Sequence, residues 1–239
     1  MIILGITHPI LSTTAAALVR DGEILSSVEE ERFTRIKQAP RMFPFNAIEW
    51  CIKNSGISYD DVDIIAVGWD GYSSKKEIEY HFTEHQKDEA VFWSECIGVE
   101  KIFLNFIKKR FKNSRIVNVP HHIAHAASSC LVSGFEKSLF LTLDGRGENE
   151  SGIMGIYENG DFQILRRISR YESLGELYSK FTSAIGFRSH FEEGKTMGLA
   201  PYGSPIKSLI DIAKIDKNGK IIIDGQRLTG LGQNSFSGD

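Results

Sequence analysis

Residues 17–24, ALVRDGEI, predict a β-hairpin on which the fold depends. Apolar residues flank Asp21-Gly22, and Asp-Gly is a dipeptide that the tight two-residue hairpin turn prefers. An apolar run at residues 2–6 precedes the hairpin. The segment therefore predicts three successive antiparallel strands, at residues 2–6, 14–19 and 23–28.

The same pattern returns at residues 155–162, GIYENGDF, where Asn159-Gly160 takes the place of the Asp-Gly turn. Three strands are predicted around it, at residues 138–143, 152–157 and 162–168. This is a weak internal repeat of topology. Two lobes that each begin with three antiparallel strands resemble the superfamily of actin, the sugar kinases and the heat-shock chaperone ATPases. That fold closes a nucleotide or phosphate between its lobes.

The segments between these strands alternate helix and strand. Helical periodicity follows Pro44 and returns at residues 88–111, and strands are predicted at 62–67 and 116–119. We therefore predict an α/β protein with an actin-like (ASKHA, ribonuclease H-like) two-lobed fold. The first lobe is expected at residues 1–135 and the start of a truncated second lobe at residues 136–239.

The end of the second lobe is predicted from weaker patterns. We expect a helix at residues 174–187, a loop at 194–203, a short helix within 206–215 and a strand at 220–223. The last residues carry no stop signal of a packed domain, which suggests a fragment.

Composition indicates an ordinary soluble globular protein. Of 239 residues, 41% are hydrophobic and 25% are charged, and the net charge of −3 argues against a nucleic-acid surface. The three cysteines are odd in number and widely spaced, which predicts buried thiols in a reducing compartment. No apolar run approaches the roughly 18 residues of a membrane span, and the N-terminus lacks the basic flank of a signal peptide. The expected location is the cytoplasm.

Three histidines stand within five residues, at positions 121, 122 and 125, directly after a predicted strand. The alanines around them favour a helix, on which His121 and His125 share one face. Neutral imidazole is the commonest metal ligand, so the spacing predicts two ligands to one ion. The glutamate that HExxH chemistry requires is missing, which excludes that chemistry. Histidines that cap a helix or fill a core remain the alternative.

Asp144 follows the strand predicted at residues 138–143 and precedes Gly145 and Gly147. Its carboxylate can ligate a hard cation, and the bare glycine backbone can approach phosphate oxygens. By itself, an ordinary Asp-Gly turn explains this motif. Together with the two histidines, it predicts an iron, zinc or manganese site with open positions for an anionic, phosphate-bearing ligand.

Two further segments carry basic residues. Residues 29–37, EEERFTRIK, place Arg32, Lys37 and another arginine beside three acids. That pattern fits an anion site with oriented cations or a solvated, charged strand end equally well. Residues 193–203, EGKTMGLAPYG, place Lys195 in a glycine-rich segment that lacks the spacing of a Walker A loop.

These four motifs in this order resemble the N-terminal half of the O-carbamoyltransferase family of NodU/CmcH type, over about residues 2–203. The actin-like part of that family is similar to the universal tRNA threonylcarbamoyl-transfer protein. The resemblance implies that a C-terminal YrdC-like domain, absent from this chain, makes carbamoyl-adenylate from carbamoyl phosphate and ATP. The actin-like part would then transfer the carbamoyl group to a hydroxyl of a small-molecule or glycan acceptor.

The resemblance also implies residue roles. The metal ligands would be His121, His125 and Asp144, iron being the expected ion, and a further family aspartate would lie beyond this chain. The nucleotide or substrate would contact the segments that hold the following residues: Gly145, Gly147, Arg32, Lys37 and Lys195.

One departure from the family concerns the transfer step. The family carries a histidine in an H-D-x-A-A-A pattern in its first strand-to-strand loop, and here Ser12 occupies that position. His8, four residues earlier, is the remaining candidate for the general base. Either His8 reaches in from a rearranged loop, or the protein lacks this group.

Two other functions stay open. The first is a threonylcarbamoyl-transfer protein that acts on tRNA, although the EEERFTRIK and EGKTMGLAPYG strings and the lack of a basic surface speak against it. The second is a non-catalytic module that binds metal and nucleotide. We expect the fragment alone to be inactive and neither a nucleic acid nor a membrane to be its partner.

Overall fold

The computed structural model describes residues 1–7, 13–69 and 87–224, except for the side chains of 87–97 and 208. The chain divides into two compact units, Met1–Ala124 and His125–Asp239. A β-sheet that contains a tight hairpin forms the framework of each unit.

The first unit is built on a five-stranded sheet in the order β3-β2-β1-β4-β5. Asp21 and Gly22 take φ values of 50° and 90° at the hairpin turn, which suits a type I′ turn and aligns the flanking strands antiparallel. The last two strands join parallel to β1, each following a helical segment. The strands are β1 Ile2–Ile6, β2 Ala15–Arg20, β3 Glu23–Glu29, β4 Ile64–Val67 and β5 Arg115–Asn118.

The core of the first unit lies between this sheet and its helices. These are α1 Glu31–Thr34, α2 Phe45–Asn54 and α3 Lys87–Arg110. Leu4 and Leu18 pair directly across β1 and β2, and both are buried in one cluster with Ile48 and Phe103. Burying each such side chain contributes roughly 1.5–3 kcal/mol, so this layer holds the helices on the sheet.

The second unit repeats the three antiparallel strands in the order β6-β7-β8. Asn159 and Gly160 take φ values of 50° and 93° at its hairpin turn, close to those of the first hairpin. The strands are β6 Lys137–Leu143, β7 Glu150–Glu158 and β8 Asp161–Ser169, with a separate pair, β9 Ala213–Ile215 and β10 Ile221–Ile223. The helices are α4 His121–Cys130, which continues across the division after Ala124, α5 Leu174–Ala184 and α6 Glu193–Leu199.

The predicted fold class is confirmed, because both sheets begin with three antiparallel strands joined at the predicted turns. The predicted helices after Pro44, in 88–111 and in 174–187 are also present, with their ends shifted by a few residues.

Two local predictions were wrong. Residues 194–203 are not a loop: they form most of α6, followed by a 3₁₀ turn at Ala200–Tyr202. Glycine disfavours a helix, so the glycines of this segment favoured a loop. In the structure, the Thr196 hydroxyl donates a hydrogen bond of 2.9 Å to the Thr182 hydroxyl of α5, and this tertiary contact outweighs the low helix propensity of glycine.

The short helix expected within residues 206–215 is reduced to a 3₁₀ turn at Lys207–Leu209, and strand β9 follows. The strand forms because β10 pairs with it, Ile221 lying opposite Ile215. Helical periodicity in a short apolar run could not reveal this partner.

Within the described ranges, no helix is long and apolar enough to cross a membrane. Cys51 and Cys130 are free, buried thiols, as predicted for the three cysteines, whereas the side chain of Cys96 lies outside the described residues. Burial raises the pKa of the Cys51 thiol.

Candidate metal centre

Helix α4 holds the first two predicted ligands. It starts immediately after Pro120, whose carbonyl accepts the Ala124 N–H at 2.9 Å, so the helix is regular from its first turn. The His121 ring packs edge-on against the buried Trp69 ring, with 5.4 Å between centroids. His125 follows one turn later. Both imidazoles therefore lie on one helix face, as the i, i+4 spacing predicts.

The third predicted ligand lies next to His125. Asp144 follows directly after β6, and its Oδ2 lies 3.2 Å from His125 Nε2. Its other oxygen, Oδ1, accepts the Gly145 N–H at 2.6 Å. Both side chains are partly exposed, 49% for His125 and 41% for Asp144. The carboxylate is therefore oriented by the backbone and remains open to a ligand.

The three side chains suit one divalent ion. One ligand atom from each of His121, His125 and Asp144 lies within 4.8 Å of the others. Ligands about 2.0–2.2 Å from a common ion lie up to about 4.4 Å apart, so a small contraction would complete the site. Two imidazoles and one carboxylate are donors that iron, zinc and manganese accept, and three donors leave positions open for a further ligand.

The remaining histidine of the motif has a different role. His122 is buried, at 2% exposure, and its ring stacks edge-on against His121 with 5.2 Å between centroids. It belongs to the packing that supports the helix rather than to the group of possible ligands.

The turn that follows Asp144 is supported by residues that the sequence analysis missed. Ser173 caps the start of α5 by accepting the Glu176 N–H at 3.0 Å. Its hydroxyl also lies 3.1 Å from the Asp144 carbonyl and 2.7 Å from the Gly145 carbonyl. The Ser-x-x-Glu pattern of residues 173–176 is a capping signature, and it could have located this helix start.

The two glycines of the turn use their N–H groups within it. Gly145 donates to the Asp144 carboxylate, and Gly147 donates to the Glu150 carbonyl at 2.7 Å. An approaching phosphate would compete with these bonds.

The acidic and basic residues of segment 29–37 pair locally. Arg32 contacts Glu29 at 3.0 Å, and Lys37 contacts Glu31 at 3.5 Å. Bonding to the Gln38 backbone N–H, together with Lys37 and Arg32, lowers the pKa of Glu31. Both basic side chains remain mostly exposed.

Glu30 has a role that the sequence did not reveal. It is buried, and it accepts the N–H groups of Ala47 and Asn46 at 2.8 and 3.3 Å. It therefore caps the start of α2 from a distant position in the sequence, where a negative charge is favourable.

The other predicted site residues are separate cases. Lys195 lies on α6 and pairs with Glu192, its ammonium 2.5 Å from a carboxylate oxygen. His8, the predicted general base, lies outside the described residues.

Comparison with known proteins gives consistent matches. The family model described as "Carbamoyltransferase N-terminus" matches residues 2–222. Nodulation protein NolNO of Sinorhizobium fredii is 33% identical over 206 residues, which are 84% of this chain and 29% of that protein. Nodulation protein NolO of Bradyrhizobium diazoefficiens is 40% identical over 85 residues, 36% of this chain and 15% of that protein. The chain thus spans less than a third of either relative.

Solved structures give more distant similarities. YeaZ from Pseudomonas aeruginosa is 15% identical with a TM-score of 0.39, covering 69% of this chain and 64% of that one. The ROK hexokinase from Thermus thermophilus is 15% identical with a TM-score of 0.34, covering 97% of this chain and 73% of that one.

Proposed function

This chain belongs to the carbamoyltransferase N-terminal family, and from that premise we propose that it is the N-terminal part of an ATP-dependent O-carbamoyltransferase. The carbamoyl group would pass from carbamoyl phosphate, through carbamoyl-adenylate, to a hydroxyl of a small-molecule or glycan acceptor. Membership confirms the resemblance inferred from four motifs. The observation that carries the proposal is the group of three ligand atoms within 4.8 Å in a chain of this family.

The transfer step consists of three bond changes. The acceptor oxygen attacks the carbamoyl carbon, the bond from that carbon to the adenylate phosphate oxygen breaks, and the hydroxyl proton goes to a base. In this proposal, His121, His125 and Asp144 hold a divalent ion, iron being the expected one. Such an ion would supply Lewis-acid polarisation of the phosphate and carbamoyl oxygens.

The charged adenylate also needs positive groups around its phosphate. We assign this role to Arg32, Lys37 and Lys195, whose exposed ion pairs cost little to exchange for a phosphate partner. Gly145 and Gly147 would let the phosphate approach the backbone beside Asp144. The sequence offers His8 as one candidate for the base that takes the proton.

The proposal also assigns the chain a place in a longer protein. Residues 1–135 would be the first actin-like lobe and residues 136–239 the start of the second, with the donor-making YrdC-like domain elsewhere. The relatives support this, because the chain spans 29% of NolNO. A bare apolar surface in the second unit supports it as well.

This bare surface is revealed by comparing equivalent strands of the two units. Leu18 and Ile156 both lie four residues before the glycine of their hairpin turn. Leu18 pairs with Leu4 on β1, and Ile156 pairs with Leu139 on β6. Leu4 is 0% exposed beneath its helices, whereas Leu139 is 76% exposed. The same side chain position is thus covered in one unit and open in the other.

The next position along each strand repeats the contrast. Ile6 on β1 is 4% exposed, and its equivalent on β6, Leu141, is 57% exposed. In addition, β1 pairs with β4 on its second side, while β6 is an edge strand of the described sheet. A parallel strand and a helix would complete this unit as β4, α2 and α3 complete the first. We assign that role to residues of the longer protein.

The experiment uses the full-length gene product with ferrous iron, ATP, carbamoyl phosphate and a panel of sugars and other polyols. We expect formation of AMP and of a carbamoylated acceptor, detected by a mass increase of one carbamoyl group. The Asp144→Asn protein should lose transfer. Absence of AMP formation with every acceptor would overturn the proposal.

A further inference from the structure

His190 lies in the segment between α5 and α6 and has an uncommon backbone conformation. Its φ is +64°, a left-handed value that costs energy for residues other than glycine and is found where surrounding contacts enforce it. Its backbone N–H donates to Glu193 Oε1 at 2.5 Å. A specific hydrogen bond therefore holds the backbone from which the His190 ring projects.

Glu193 is itself firmly held. The buried Ser179 of α5 donates its hydroxyl to the same oxygen, Oε1, at 2.6 Å. Burial raises the pKa of Glu193, but the bonds from Ser179 and from backbone N–H groups lower it more, so the net direction is down. An ionised carboxylate thus fixes the backbone of His190 to helix α5.

The His190 ring faces a second carboxylate. Its Nε2 lies 3.9 Å from Oε2 of Glu176 in the first turn of α5. The N–H of Glu176 is bound by the Ser173 hydroxyl, the group that also contacts the Asp144 and Gly145 carbonyls. The other oxygen of Glu176, Oε1, lies 3.7 Å from the point where a Cβ on Gly145 would be. The histidine–carboxylate pair therefore borders the turn that presents Asp144.

We propose that His190 is the general base that takes the proton of the acceptor hydroxyl, and that Glu176 is the residue that positions its ring. This inference rests on the proposed function and deepens it. As the hydroxyl oxygen forms its bond to the carbamoyl carbon, the proton moves to an imidazole nitrogen of His190. The bond from that carbon to the adenylate phosphate breaks, and AMP leaves with the electron pair.

The pair has the properties that this step demands. A general base must be reachable, and the His190 side chain is 56% exposed. The imidazolium that forms needs a nearby negative charge, which Glu176 and Glu193 supply from the two helices that flank the segment. The histidines of α4 serve elsewhere: His121 and His125 belong to the proposed metal site, and His122 is buried.

In this sequence, the histidine that the family pattern places in the first strand-to-strand loop is missing. Ser12 stands where the histidine of the family pattern is expected. A base supplied from the second unit would let the transfer step proceed without that loop histidine.

The test compares His190→Asn with His8→Asn in the full-length protein. Asparagine tolerates a positive φ and keeps the backbone N–H donor to Glu193, but it cannot accept the proton. We expect His190→Asn to lower kcat for carbamoyl transfer about 10²–10⁴-fold, with KM for the acceptor nearly unchanged. The rise of kcat with pH that reports a neutral imidazole should disappear. Activation of the donor, in which ATP releases pyrophosphate as carbamoyl-adenylate forms, needs no acceptor proton transfer and should continue.

Each result separates the two proposals. If the wild-type protein forms no carbamoylated product, the proposed function fails. If it forms product and only His8→Asn abolishes transfer, the function stands and the assignment of His190 is overturned. Glu176→Gln should lower kcat for carbamoyl transfer with KM for the acceptor nearly unchanged, because the amide keeps the size of the carboxylate but removes the charge that faces the His190 ring. An unchanged kcat contradicts the positioning role of Glu176.

Discussion

A Cβ atom added to Gly175 would lie 2.4 Å from the backbone nitrogen of Gly145. Real Cβ atoms do not approach backbone this closely, so only glycine lets the start of α5 rest on the turn that follows Asp144. The contact explains how a helix far along the sequence fixes a predicted metal ligand.

Gly175→Ala should therefore disturb the Asp144 turn. We expect a loss of about 1–3 kcal/mol in the free energy of unfolding, as for other overpacked sites, and weaker zinc binding. Urea unfolding and calorimetric titration measure the two effects. Gly98→Ala is the control, because nothing lies within 4 Å of its added Cβ in α3. It should be neutral or stabilising by up to about 1 kcal/mol. Equal losses in both variants would contradict the close contact at Gly175.

The metal ligands can be tested on the 239-residue chain. Removing one of three donors takes away one bond to the ion, so His121→Ala, His125→Ala and Asp144→Asn should each weaken zinc binding at least about tenfold. Calorimetric titration with zinc measures the affinity. Glu158→Gln is a matched control, since this exposed carboxylate of the same sheet pairs with Lys137 away from the site. Zinc binding that is unchanged in all three variants would refute the ligand assignment.

The sequence predicted the parts of this site that depend on local periodicity. The spacing of His121 and His125 along one helix and the place of Asp144 after a strand follow from rules of helix and strand geometry. Ser173 and Gly175 could not be linked to Asp144 in the same way, because their contacts depend on how α5 packs on the turn. The same limit applies to β9, which exists only with its partner β10.

Segment 29–37 shows this limit most clearly. Its charge pattern suggested cations oriented by acids, yet the central acid, Glu30, is buried and caps α2. Nothing in the sequence near Glu30 indicates that its partners are Asn46 and Ala47, about 16 residues later. A charge pattern in the sequence shows which charged side chains a segment contains. Which of them are buried depends on the tertiary contacts.

Glu30→Gln should destabilise the first unit. The substitution removes the charge that faces the start of α2 and replaces one accepting oxygen by a donor, leaving a buried N–H unsatisfied. We expect a loss of about 1–3 kcal/mol, measured by urea unfolding. Glu29→Gln, at the adjacent exposed position, should change stability by less than about 0.5 kcal/mol. Similar values for both variants would show that the cap contributes nothing particular.

Glu193 should make stability depend on pH. Its pKa is lower in the folded protein than the ordinary value of 4.5, so its stabilising effect is present above that value and is lost as the pH falls through the folded-state pKa. Glu193→Gln should be less stable than wild type at pH 7, and the difference should shrink towards pH 3. Unfolding free energies measured across this range test the sign. A difference that stays constant with pH would contradict the role of its charge.

The exposed face of β6 leads to a prediction whose outcome differs between the 239-residue chain and the full-length protein. Leu141 is exposed, whereas its neighbour Phe140 points to the opposite, buried face at 6% exposure. In the 239-residue chain, Leu141→Lys should change the free energy of unfolding by less than about 0.5 kcal/mol, while Phe140→Ala should cost about 3–5 kcal/mol. In the full-length protein, both substitutions should be strongly destabilising, because a helix would then cover Leu141 and a buried lysine would lack a partner. If Leu141→Lys stays neutral in the full-length protein, no segment covers this face, and the proposed completion of the second lobe is wrong.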